Sequence, residues 1–328
     1  MDPRARAAEL LPKVETLRRH LQEQVLGQQQ LIDDLLVGLL AGGHILLEGV
    51  PGLGKTRLVR ALARGLGLEF ARIQFTPDLM PSDVTGTQVL DAENGARKFR
   101  FQPGPVFAGL LLADEINRAT PKTQSALLQA MQEGEVTVAG TTHALPRPFH
   151  VVATQNPIEL EGTFPLPEAQ LDRFLFRLEV RTPGPDDIVR ILAATTASAP
   201  EPAESRLAAE TLVALQSLVR DVLCGDHLLR FVAGFLLASH PDREGVNPRT
   251  RRFVRYGASA RAGQAIVLGA KARALLAGRP AVVRADLEAC LLPAMGHRVL
   301  LTFEADAERV GVRDLLPDWI AAAERHAR

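Results

Sequence analysis

Residues Gly49 to Thr56 read GVPGLGKT and satisfy the pattern G-x-x-x-x-G-K-[ST]. The apolar run HILLE, His44 to Glu48, leads into them. TRLVRALARGLG follows, with Leu58, Val59, Leu62 and Leu66 on one helical stripe. A buried strand, a tight glycine turn and an amphipathic helix in succession point to an α/β sheet with helices packed on it. The chemistry of the turn is equally specific. Glycines let the backbone fold so that its N–H groups converge on phosphate oxygens, and the helix starting near Lys55 adds its positive end. In this pattern Lys55 reaches the β- and γ-phosphates and the Thr56 hydroxyl holds Mg²⁺. Gly49, Pro51, Gly52, Leu53 and Gly54 form the loop around ATP or ADP.

The other half of a phosphate site is an acidic pair at the end of an apolar strand. GLLLADE supplies it: Asp114 is expected to hold Mg²⁺ through its water shell, and Glu115 to orient and polarise the attacking water. Asn156 follows the apolar run HVVAT. It therefore sits at the carboxyl end of a strand, where ligands bind in open α/β sheets, and its amide can help hold that water. TPKTQSALLQAMQEG reads as a helix with Thr120 as N-cap and Pro121 in the first turn. GEVTVAGTTHALPRP reads as a β-hairpin.

Beyond Pro183-Gly184-Pro185, read as a hinge, the patterns are almost all helical, and ASAPEPAE, Ala197 to Glu204, reads as a small-residue linker. The expected division is an α/β nucleotide-binding core over 1–182 and a smaller all-α domain over 183–328. Lys plus Arg equals Asp plus Glu at 38 each, which argues against a chain-wide nucleic-acid coat. The basic run NPRTRRFVR is expected to be a solvated loop. Cys224 and Cys290 are expected as buried free thiols in helical surroundings, and the scattered histidines suggest no metal cluster. The polar N-terminus and the shortness of the apolar stretch 35–47 predict neither leader nor membrane insertion, hence a cytoplasmic protein.

Together VLGQQQLIDDLL, GHILLEGVPGLGKT, LLLADEINRATPKTQSALLQAMQEGEVT, VVATQNPIELEGTFPLPEAQLDRF and YGASARAGQAIVLGAKARALLAGR resemble the MoxR-family AAA+ ATPases over roughly residues 10–294. The resemblance implies an α/β P-loop core, its parallel sheet sandwiched by helices, with an all-α lid. It implies that Arg173 of LDRF is an arginine finger reaching the nucleotide of the neighbouring subunit. Arg261 of YGASAR would sense the γ-phosphate, and Gln28 of LGQ would lie near the adenine. Ala260 stands where the motif usually has proline, which puts the start of that helix in question. On local pattern alone, Arg173 is a surface arginine beside Asp172 and Glu168.

The resemblance further implies a hexameric ring and partners carrying von Willebrand factor A domains. It also implies work in assembling or maturing client enzyme complexes, including metal or cofactor insertion. Leu79 to Gly86 with the following QVLDAENGARKFRFQPGP matches the family's insertion, which with the later hairpin would touch partners. Three alternatives share this core: the ATPase subunit of a metal chelatase, a nucleic-acid motor or loader, and a nucleotide-gated scaffold. Glu115 and Arg173 weigh against the last, because both roles serve hydrolysis.

Overall fold

The computed structural model describes residues 3–50, 52–91, 98–156, 162–196 and 207–326. Two helices, α1 (Pro3–Gln24) and α2 (Gln29–Leu40), precede β1 (Ile45–Glu48) and α3 (Lys55–Gly65). Then come β2 (Phe70–Gln74), α4 (Pro81–Thr85) and an antiparallel hairpin of β3 (Gly86–Asp91) and β4 (Lys98–Pro103). β5 (Leu110–Asp114) and α5 (Pro121–Glu133) lead to a second hairpin, β6 (Glu135–Val138) and β7 (Thr141–Ala144), then β8 (His150–Gln155), α6 (Glu168–Leu171) and β9 (Phe176–Glu179). The five long-range strands form one parallel sheet in the order β2-β5-β8-β1-β9.

Helices dominate after β9: α7 (Pro185–Thr196), α8 (Ala209–Asp221), α9 (Asp226–Ala238), α10 (Pro248–Phe253), α11 (Ala260–Leu276), α12 (Arg284–Met295), α13 (Phe303–Ala307) and α14 (Val312–His326). A short antiparallel ribbon, β10 (Val254–Tyr256) with β11 (Leu300–Leu301), lies among them.

Alternation along the buried strands sorts side chains between two cores. In β5, Leu110 and Leu112 join one apolar cluster, while Leu111 and Ala113 join the other. The first cluster is continuous from Leu17 of α1 and Leu35 of α2 through Leu62 of α3 to Leu215, Phe235, Ile266, Leu287 and Trp319 of the later helices. Sheet face and helical segment therefore share one apolar interior. The second cluster packs Leu127 and Leu128 of α5 on the opposite face.

Buried histidines tie the lower ends of the strands together. His44 Nδ1 accepts from Val151 N at 3.0 Å, and its Nε2 donates to Met131 O at 3.1 Å. The Gln216 amide donates both to Leu39 O and to His150 Nε2, so His150 Nδ1 carries the hydrogen that meets Gly43 O at 3.0 Å. Burial holds both rings down to about 4, helped at His44 by the charge His150 would carry.

Several expectations need adjustment. The Arg249–Arg255 run is mostly helix, because Asn247 caps α10 by accepting from Arg249 N at 2.8 Å. Cys290 is buried in α12, but Cys224 lies half-buried in the connection between α8 and α9. The hairpin turn is Ala139-Gly140, with φ of 48° and 83° at the two positions. Ring stacking of Phe101 on His143, 3.9 Å between centroids, joins the two hairpins. The segment 197–204 read as a linker, and Ala92 to Arg97 of the insertion, lie outside the described residues. Among the described residues, no helix is long and apolar enough to cross a membrane.

Candidate nucleotide site

The carboxyl ends of β1, β5 and β8 come level with one another. Glu48 pairs with Gln155, and Ala113 pairs with Ala153, so Gly49, Asp114, Thr154 and Asn156 meet at one rim of the sheet. Gly49 N donates to Gln155 O at 3.3 Å. Gly49 also lies against β9's continuation: a Cβ there would stand 2.8 Å from Val180 O, so only glycine fits. Gly52 and Gly54 hold φ of 84° and 78°, the left-handed region that lets the loop curl over the first turn of α3. A Cβ at either would meet nothing within 4 Å, so it is the backbone conformation and not crowding that calls for glycine there. Leu53 packs its side chain on the first apolar cluster and anchors the loop. Pro51 lies outside the described residues.

Lys55 turns back over the loop and donates to Gly49 O and, at 3.3 Å, to Val50 O. Thr56 Oγ1 stands 3.5 Å from Asp114 Oδ2. Asp114 is buried and receives the Thr154 hydroxyl on Oδ1 at 2.5 Å. Thr154 Oγ1 in turn accepts from Glu115 N at 2.8 Å, so one hydroxyl fixes both acids. Glu115 has φ 55° and ψ 50°, a left-handed conformation that is costly for a residue with a side chain. Gln74 Nε2 and Arg118 donate to its Oε2 at 2.7 and 3.1 Å. Asn156 is buried directly after β8.

This donor set fits Mg²⁺ carried in with a nucleotide. A hydroxyl and one carboxylate face each other at the helix N-terminus that follows the glycine loop, the oxygen-poor arrangement this ion takes when phosphates and waters complete its shell. Among the described residues there is no group of three or more His, Cys, Asp or Glu that could hold a metal unaided.

The remaining expected site residues stand elsewhere. Gln28 is buried and donates to Arg181 O at 2.7 Å, just past β9. Arg173 donates to Leu128 O of α5 at 2.6 Å, while its Nε is buried with no partner among the described residues. Arg261 pairs with Asp172 at 3.4 Å. The Ser259 hydroxyl caps α11 by accepting from Arg261 N at 3.3 Å, so the helix starts securely without the proline.

Residue reasoning missed Arg72 and Gln74. Two residues apart on β2, they share a strand face. Arg72 donates to Asp114 Oδ2 at 2.7 Å and to Gln74 Oε1 at 3.1 Å, forming a relay that touches both acids. The signal was available as polar residues alternating in ARIQF beside an acid-bearing strand. Two arginines of the basic run pair within the chain: Arg249 with Asp318 at 2.8 Å, and Arg252 with Glu304 and Glu308.

Residues 44–176 match the family model for the ATPase family associated with various cellular activities (AAA), and residues 247–319 match the AAA lid domain. The chain is 42% identical to Chaperone MoxR1 of Mycobacterium tuberculosis, over 94% of this chain and 82% of that protein. It is 36% identical to Protein MoxR of Paracoccus denitrificans, over 91% of each. A crystal structure of a Cytophaga hutchinsonii protein assigned as an ATPase superposes with a TM-score of 0.89 at 35% identity, covering 97% of this chain and 96% of that one.

Proposed function

The chain belongs to the MoxR family of AAA+ ATPases, and from that premise we propose that Mg²⁺-dependent ATP hydrolysis between subunits of a ring drives the remodelling or assembly of partner protein complexes. The observation that carries the hydrolytic part is Glu115. Its kinked backbone and its two donors on Oε2 leave Oε1 as the oxygen that orients water and accepts its proton. A site made only to bind nucleotide has no use for a carboxylate held in a costly conformation.

The other residues divide the work. Lys55 leaves the loop carbonyls for the β- and γ-phosphates, and the loop N–H groups from Gly49 to Gly54 close around them. Thr56 and Asp114 hold the metal ion, which supplies positive charge to the phosphate oxygens when bound. Asn156 helps to hold the attacking water through its amide. Gln28 lines the base. Arg173 reaches the site of the next subunit, where its guanidinium stabilises charge developing on the transferred phosphate. Arg261 reads the γ-phosphate from the lid.

Likeness to Chaperone MoxR1 supports action on client complexes; the hexamer and the von Willebrand factor A-domain partners rest on the family resemblance of the sequence alone. The free thiols Cys224 and Cys290 support a reducing, cytoplasmic setting. Pairing of Arg249 and Arg252 with acids of the same chain disfavours a nucleic-acid motor.

The test is a trap. Glu115→Gln should bind ATP normally and hydrolyse it at least about a hundredfold more slowly. Tagged and recovered from its native extract with ATP, it should carry a client complex or a von Willebrand A-domain protein. Normal turnover removes the role of Glu115, and recovery dominated by nucleic acid removes the chaperone reading.

A further inference from the structure

We propose that Asp172, clamped by Arg298, is a positioning residue that ties Arg261 to the segment carrying Arg173, so that the sensing arginine and the finger are displaced together. This rests on the roles proposed above for Arg173 and Arg261.

Arg298 follows the end of α12 and its side chain is 4% exposed. A buried guanidinium is stable only when its five N–H donors are met. Here Nε donates to Asp172 Oδ1 at 2.7 Å. One terminal nitrogen donates to Ala294 O and Leu175 O at 2.7 and 3.0 Å. The other donates to Asp172 O and Phe174 O at 3.0 and 2.6 Å. Four of the five acceptors belong to residues 172–175, the segment that contains Arg173. His297 adds a bond from Nε2 to Phe174 O at 2.9 Å, and burial keeps its ring neutral. The backbone on both sides of Arg173 is thus gripped by two consecutive residues from the end of α12.

The second carboxylate oxygen of Asp172 faces the other way. Oδ2 lies 3.4 Å from the Arg261 guanidinium and 3.5 Å from the Ser259 hydroxyl, both at the start of α11. Arg261 is half exposed, so this arm is weak and exchangeable, whereas the Arg298 arm is dry and fully bonded. Arg261 and Arg298 both fall within the lid-matched residues 247–319, and Asp172 and Arg173 within the AAA match, 44–176. Asp172 is therefore a junction with one permanent and one releasable cation. When Arg261 leaves it for a phosphate of its own site, the lid shifts. Arg298 carries that shift to residues 172–175 and so to the finger offered to the next subunit.

The experiment is a comparison of steady-state kinetics on the assembled full chain. Asp172→Asn keeps an oxygen for Arg298 but removes the charge that holds Arg261. The KM for ATP should fall roughly two- to fivefold, the strength of an exposed ion pair, while kcat falls at least about tenfold because nothing then draws Arg261, and the finger with it, back between turnovers. In an Arg261→Ala background the same change should leave KM unmoved. Arg298→Lys, which keeps charge but not the fork, should lose kcat at unchanged KM, and it serves if Asp172→Asn does not fold. Arg173→Ala is the control for the underlying reading: wild-type turnover there refutes the finger itself. An inactive Arg173→Ala beside Asp172→Asn with wild-type kcat and KM overturns the clamp alone. So does a rise in KM accompanying the loss of kcat, or a fall in KM that persists without Arg261.

Discussion

Acid should unfold this protein through His44 and His150, and the size of the effect can be worked out. Burial holds each ring neutral, and its unprotonated nitrogen already accepts from a donor, Val151 N for His44 and the Gln216 amide for His150. Each titrates near 6.5 when unfolded and about 4 when folded. A folded value below the unfolded one means that the contribution is fully present above pH 6.5. It is lost as pH falls from there toward 4, because only the unfolded chain takes up the proton.

At pH 5 each histidine removes about 2 kcal/mol, and the pair about 4 kcal/mol, from a stability expected to be about 5–15 kcal/mol. The assay is proton uptake on thermal unfolding near pH 5.25, measured calorimetrically in buffers of different ionisation enthalpy. His150→Asn should lower the uptake by about 0.9 proton relative to the unmodified chain. Equal uptake by the two chains would show that His150 is charged in the folded state and would refute the reasoning.

Other outcomes follow from the site and the core. Lys55→Ala should abolish detectable ATP binding in calorimetry, because nothing else balances the β- and γ-phosphate charge; an unchanged affinity would remove Lys55 from the site. Arg173→Ala should bind ATP without turning it over, and wild-type specific activity should rise with protein concentration as subunits assemble. Activity independent of concentration across assembly would rule out a finger acting between subunits. Thr250→Val should cost about 1–3 kcal/mol by orphaning the buried Trp319 indole N–H, which donates to Thr250 Oγ1 at 2.8 Å. Trp319 is the only tryptophan, so its emission reports the change directly, and an unaltered denaturation midpoint would refute the bond's importance.

The parts of this site that lie close together along the chain were legible in it. The glycine loop, the acid pair and Asn156 each follow an apolar strand, and strand ends converge in any parallel sheet. What was hidden depends on pairings between distant segments. Arg72 and Gln74 meet Asp114 and Glu115 only because β2 is the neighbour of β5 in this register, with Gln74 opposite Asp114. Arg298 reads as one arginine among many, and its meaning lies in four oxygens more than a hundred residues away. The Arg249–Arg255 run looked like a loop because α10, Pro248–Phe253, is too short to show an apolar period. Its acidic partners, Glu304, Glu308 and Asp318, sit on α13, just past its end and on α14. Likeness to the MoxR relatives fixed the family where spacing alone left several ATP-driven machines open.

The continuous apolar cluster running from α1 through the sheet face to α14 sets a limit on how work can be transmitted. A segment attached only through Pro183-Gly184-Pro185 could pivot freely and would deliver a long, compliant stroke. Helices that share one close-packed interior with the sheet cannot pull away without exposing it, so they slide by fractions of a side-chain width. On the function proposed above, the stroke is then short and stiff. Such a machine suits prising or reseating a folded partner better than hauling an extended polymer over a distance.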